Sequence, residues 1–176
     1  NTGMDVMCHA VEAVASTAAT SFTDPYAIEA IKLVLGNLEQ AYKKGDDMNA
    51  RFNMHNASAL AGMAFTNASL GLVHSLAHKI GGEFGVTHGL ANAILLPYII
   101  DFNRKSTKKY DEVEKLLRIK NIADEIRKLN KKLGIPATFK DCTEVDFNEA
   151  KFKEVLDRMS ANAHADPCTL TNPGKP

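Results

Sequence analysis

The 176-residue sequence predicts an all-α, helical bundle-like domain, and three observations carry that reading. Segment after segment spaces its apolar residues at three and four, the period of a helix face. No stretch alternates apolar and polar residues with the period of two that a half-buried strand requires. Start signals and glycine or aspartate breaks then divide the chain into helix-sized pieces.

The elements follow in order. Met4, Met7, Cys8, Val11, Val14 and Ala15 form an apolar stripe over residues 4–19. Thr23-Asp24-Pro25 opens the next helix, 25–42, with a capping oxygen followed by proline in the first turn. Gly45-Asp46-Asp47 breaks the chain, the aspartates reading as a cap. The helix from Met48 to Ala68 carries a small-residue face of Ala57, Ala61, Ala64 and Ala68, with Met48, Met54 and Met63 as core filler. A histidine-bearing helix spans about 70–81, and Gly81-Gly82 reads as its end, because glycine tolerates the left-handed cap.

A further helix covers Gly89–Phe102, where Pro97 either kinks it or ends its first part. The lysine-rich stretch 104–109 reads as a solvated linker, and a charged amphipathic helix runs over 111–133. Gly134-Ile135-Pro136 is a turn, two shorter helices are expected near 138–143 and 147–161, and the tail from Asp166 is turn-rich and irregular.

One domain accounts for residues 1–176. Lys plus Arg and Asp plus Glu number 21 each, so charge gives no reason to expect nucleic acid or an anionic membrane as partner. Three cysteines without a CxxC pair read as free thiols in a reducing compartment, hence the cytoplasm. The uncharged-looking run from Phe52 to His78 is long enough to cross a bilayer, but Asn53, His55, Asn56, Asn67, His74 and His78 make it a poor lipid-exposed helix. No basic-then-apolar leader is visible, and a start at Asn1 without methionine reads as a fragment of a longer protein.

The chemistry concentrates in two places. His74 and His78 lie four apart on one helix face, and His88 follows after the glycines. Asp5 and His9 repeat the four-residue spacing near the start, so four or five nitrogen and oxygen donors can converge on one point. Asp5, His9, His74 and His88 would form one oxygen and three nitrogen ligands with room for a substrate oxygen, as in a catalytic rather than a closed structural site. His74-Ser-Leu-Ala-His78 lacks the glutamate of a zincin, which disfavours a metalloprotease. His55 and His164 read as structural or surface residues, and no glycine-rich phosphate loop follows a strand.

Two stretches resemble a known family, the iron-dependent (group III) alcohol dehydrogenases. They are Gly71-Leu-Val-His74-Ser-Leu-Ala-His78-Lys-Ile-Gly81 through His88-Gly89-Leu-Ala-Asn92-Ala-Ile-Leu-Leu-Pro97, and Gly3-Met-Asp5-Val-Met-Cys-His9-Ala-Val-Glu12. Met54-His55-Asn56-Ala57-Ser58 and Asp166-Pro-Cys168-Thr-Leu-Thr-Asn172-Pro173 are similar in style. The resemblance implies the C-terminal half of a two-domain, dehydroquinate synthase-like architecture, with the NAD- or NADP-binding N-terminal domain absent from this sequence.

It also implies metal ligands at Asp5, His9, His74 and His88, and a role for His78 beside the nicotinamide, binding substrate or relaying its proton. Fe2+ is the implied ion, with Zn2+ acceptable to the same donors, and the substrate is a small alcohol or aldehyde. A homo-oligomer is compatible, and the isolated half is expected to be inactive. Thr87 stands where the family usually has proline, which would loosen the turn before His88. Two other readings remain open at this point: a zinc-dependent, glycerol-dehydrogenase-like domain, and a non-catalytic helical metal-binding module.

Overall fold

Eight α-helices and two 3-10 turns, with no strand, make up the described residues (1–143, 145 and 147–176) of the computed structural model. Helices α1 (Thr2–Ala15), α2 (Asp24–Lys43) and α3 (Met48–Ala68) pack on one another. Met4, Met7, Val11 and Val14 meet Ala27, Ala30, Ile31 and Val34, and the four alanines of α3 are all buried, so its backbone approaches closely. Each large side chain enclosed there contributes about 1.5–3 kcal/mol of transfer free energy.

Two expectations for this layer need correction. Helix α1 stops at Ala15 rather than 19, because the Ser16 hydroxyl donates to the Ala68 carbonyl (2.5 Å) at the end of α3 and the chain turns away. Met48 and Met63 are 72% and 50% exposed, so only Met54 packs against the core. Asp47 does cap α3, accepting from the Ala50 amide at 3.0 Å.

Helix α4 (Leu72–Phe84) runs through Gly81 and Gly82 instead of ending there. Gly85, at φ +70°, is the left-handed cap, and its N–H reaches the Gly81 carbonyl at 2.9 Å. Gly81 serves a close approach, since a Cβ there would stand 3.1 Å from the Val86 carbonyl oxygen.

Helix α5 (His88–Asn103) is continuous across Pro97. Proline has no N–H for the carbonyl of Ala93, four residues earlier. The buried Asn130, on α7 (Ile122–Lys132), donates Nδ2–H to that carbonyl at 2.7 Å, which keeps the helix intact. Asn130→Leu removes this donor from a buried acceptor, and unfolding in urea is expected to show a loss of about 1–3 kcal/mol. Unchanged stability would mean that the carbonyl is satisfied some other way.

The predicted helix over 111–133 is two helices, α6 (Lys109–Leu117) and α7, with Arg118 in the left-handed region at φ +56°. Glu114 holds the break: its carboxylate accepts from the Ile122 amide (2.8 Å) and from Arg104 (2.7 Å). The stretch 104–109 is correspondingly no loose linker, because Lys109 also pairs with Asp24 at 2.7 Å. Only a 3-10 turn, Phe139–Asp141, forms within 138–143, whereas α8 (Glu149–His164) extends past the expected 161.

Helix α8 packs on α4, where Val155 and Met159 join Ala77, Ile80 and Ile94 in a second apolar cluster. The tail forms the other 3-10 turn, Pro167–Thr171, and is firmly tied. Asn172 exchanges amide bonds with Asn103 (2.9 and 2.8 Å) and accepts from the Leu72 amide at the start of α4 (3.1 Å). No helix is long and apolar enough to cross a membrane among the described residues.

Candidate metal centre

The starts of α1 and α5 and the first turns of α4 meet at one point. Gly89 makes this possible, since a Cβ there would stand 2.5 Å from the carbonyl oxygen of Asn1. Thr87 does not loosen the turn: its φ of −60° is the value a proline would impose, and its hydroxyl accepts from the Asn1 side-chain Nδ2–H at 3.1 Å.

Three of the four predicted ligands converge. Asp5 Oδ1 lies 3.7 Å from His74 Nε2 and 3.3 Å from His88 Nε2, and all three donor atoms fall within 4.8 Å of one another. Donors placed 2.0–2.2 Å from a tetrahedral ion stand about 3.4 Å apart, so the set fits a single cation. His9 is alongside but not within that group. Its ring stacks between Phe65 and His74, with centroids 4.5 and 4.7 Å away.

Glu12 is the residue that the sequence reading quoted without a role. It is 5% exposed, and its Oε2 accepts from His74 Nδ1–H at 2.5 Å while Oε1 accepts from the Val73 amide at 2.6 Å. That bond fixes the tautomer of His74 and leaves Nε2 facing Asp5 and His88. The signal was present in the spacing, since Asp5, His9 and Glu12 share one helical face.

Glu12→Ala is expected to weaken divalent-metal affinity about 10–100-fold, the usual cost of losing such an orienting partner. Isothermal titration of the metal-free protein measures it, and an unchanged affinity would deny Glu12 that role.

His78 faces the same side, its ring 5.6 Å from that of His88 and nearly parallel. Its Nδ1 lies 3.1 Å from Asp166 Oδ2, which also takes Lys79 Nζ at 2.9 Å; the other Asp166 oxygen accepts from the Cys168 amide. Asn92, one turn after His88, places its amide nitrogen within hydrogen-bond distance of Asp5, His74 and His88.

The electrostatics follow from burial and these contacts. Burial alone would raise the Asp5 carboxyl, but hydrogen bonds from His74 and Asn92 and the charges of His9 and His88 bring it to about 2. Desolvation lowers His9 to about 4, helped by repulsion from His74. Burial opposes charge on His74 too, yet Asp5 and Glu12 raise it to about 9. His88 is lowered, chiefly by desolvation. Asp5 is thus held as a carboxylate beside the ring nitrogens, an anionic donor that suits a cation.

Residues 1–176 match the sequence model described as "Fe-containing alcohol dehydrogenase family, C-terminal". The chain belongs to the iron-containing alcohol dehydrogenase family. It is 43% identical to the NADPH-dependent butanol dehydrogenase of Clostridium saccharobutylicum, over 98% of this chain and 46% of that enzyme. It is 44% identical to an alcohol dehydrogenase of Thermococcus barophilus, over 100% of this chain and 46% of that enzyme.

Among solved structures, a 1,3-propanediol oxidoreductase superposes with a TM-score of 0.89 at 37% identity, covering 99% of this chain and 47% of that one. The iron-containing alcohol dehydrogenase of Thermococcus thioreducens gives 0.88 at 33% identity, covering 99% of this chain and 46% of that one. The all-α fold of this chain is therefore that of the matched helical region in these structures. The chain spans about half the length of these relatives. They lend no support to the zinc-dependent, glycerol-dehydrogenase-like alternative.

Proposed function

We propose that this chain is the metal-holding helical half of an NAD(P)-dependent, iron-containing alcohol dehydrogenase or aldehyde reductase. The convergence of Asp5, His74 and His88, with His74 oriented by Glu12, is the observation that carries the reading. His9 is the fourth donor in this reading, reaching in from the α1 face it shares with Asp5. When bound, ferrous iron supplies Lewis acidity to the substrate oxygen, and the nicotinamide supplies or accepts the hydride.

The chain's own residues do the rest. Asp166 holds His78 through Nδ1, which leaves Nε2 free toward the histidine cluster. That nitrogen binds the hydroxyl of a small alcohol and takes its proton as hydride leaves the carbon, and it returns the proton in aldehyde reduction. Lys79, paired with Asp166, keeps that carboxylate in place. The nucleotide comes from a second domain, as expected of a chain half the length of its relatives.

The free thiols support a reducing, cytoplasmic setting. The test is an NAD(P)-linked oxidation assay of the protein joined to its nucleotide-binding half, with ethanol, butanol and 1,3-propanediol. No oxidation of any short alcohol would overturn the enzyme reading and leave a non-catalytic metal-binding module.

A further inference from the structure

Asn92 is fully buried, one helical turn beyond His88 on the same face of α5. Its Nδ2 lies 2.6 Å from Asp5 Oδ1, 3.0 Å from His88 Nε2 and 3.2 Å from His74 Nε2. Its two amide hydrogens serve Asp5 Oδ1 and His88 Nε2, with His74 Nε2 as a third neighbour of the same nitrogen. Its Oδ1 is also buried and has no hydrogen-bond partner among the described residues. A buried acceptor left unpaired is unfavourable, and this one belongs to a side chain aimed at the donor set.

A cation bonded to the same three atoms would stand about 2.0–2.2 Å from each. Asp5 Oδ1 is 3.7 and 3.3 Å from the two ring nitrogens and all three atoms lie within 4.8 Å of one another, so one ion can sit among them. The hydrogens of the Asn92 amide are directed into the same small volume. Amide nitrogen and cation are therefore alternative partners of one donor set.

We propose that Asn92 is a cation-linked gate: ion entry waits on its amide, and capture turns the carboxamide so that Oδ1 replaces Nδ2 toward Asp5, His74 and His88. The inference rests on the metal reading of the site. The turn removes repulsion between the N–H hydrogens and the ion, and it gives the unpaired oxygen a positive neighbour. The reverse orientation without an ion would set Oδ1 against the Asp5 oxygen, two acceptors at hydrogen-bond distance. Each orientation is thus favoured under one condition only, which is what a two-state element requires.

The test uses the intact, isotope-labelled protein and Zn2+, a diamagnetic ion that the same imidazole and carboxylate donors accept. Nuclear Overhauser contacts from the Asn92 amide hydrogens to the ring hydrogens of His74 and His88 are expected in metal-free protein. One equivalent of Zn2+ is expected to abolish them. Zn2+ uptake with those contacts unchanged would overturn the gate and leave the metal site standing. Absence of any uptake would overturn the metal reading and the gate with it.

Asn92→Ala gives an independent reading. Stopped-flow transfer of Zn2+ from a coloured chelator is expected to be about tenfold faster, the factor that one hydrogen bond's worth of barrier represents. An unchanged association rate would overturn the gate.

Discussion

His88→Ala is expected to strip the metal while leaving the fold intact. His88 supplies Nε2, one of the three donor atoms that lie within 4.8 Å of one another. Loss of a direct ligand should exceed the 10–100-fold affinity cost of losing an orienting partner such as Glu12. The side chain is 42% exposed, so its removal leaves no core cavity, and the effect on stability should stay within about 0.5 kcal/mol. Metal per chain by elemental analysis, read beside helix content by circular dichroism, decides the matter. Equal metal retention would sink the ligand assignment.

The opposite pattern is expected for His78→Ala: metal retained, turnover lost. His78 Nδ1 is engaged by Asp166, and the ring lies beside the donor set without belonging to it. Loss of a positioned proton donor or acceptor costs about 100- to 10,000-fold in turnover. The assay requires the protein together with its nucleotide-binding half, and metal content is read on the same sample. Normal turnover would remove His78 from the reaction, whereas loss of metal would place it among the ligands.

Helix periodicity made the fold class legible, because the apolar stripes of α1, α2 and α3 are local patterns. Helix ends were less so. Gly81 and Gly82 read as a terminator, but a glycine pair also permits close approach, and the deciding feature was the positive φ of Gly85. Pro97 was ambiguous because its repair comes from Asn130, a residue 37 positions from the Ala93 carbonyl that it satisfies.

Histidine spacing pointed to the site, and three of four expected ligands meet there. Glu12, Asp166 and Asn92 acquire their roles only through tertiary contact. Spacing puts Glu12 on the Asp5/His9 face but does not name its partner: the partners lie 62 and 88 positions away for the two carboxylates and up to 87 for the amide.

The start of α4 has a consequence for the order of assembly. Its first amides are capped from far away in sequence, Val73 by Glu12 across 61 positions and Leu72 by Asn172 across 100. Contacts of such separation form late, since the loop they close must first lose its entropy. A chain synthesised from its N-terminus can pair α1, α2 and α3 before Asn172 has been made. The helix carrying His74 and His78 gains its second cap only afterwards, so its start is held at both amides only once Asn172 has been made.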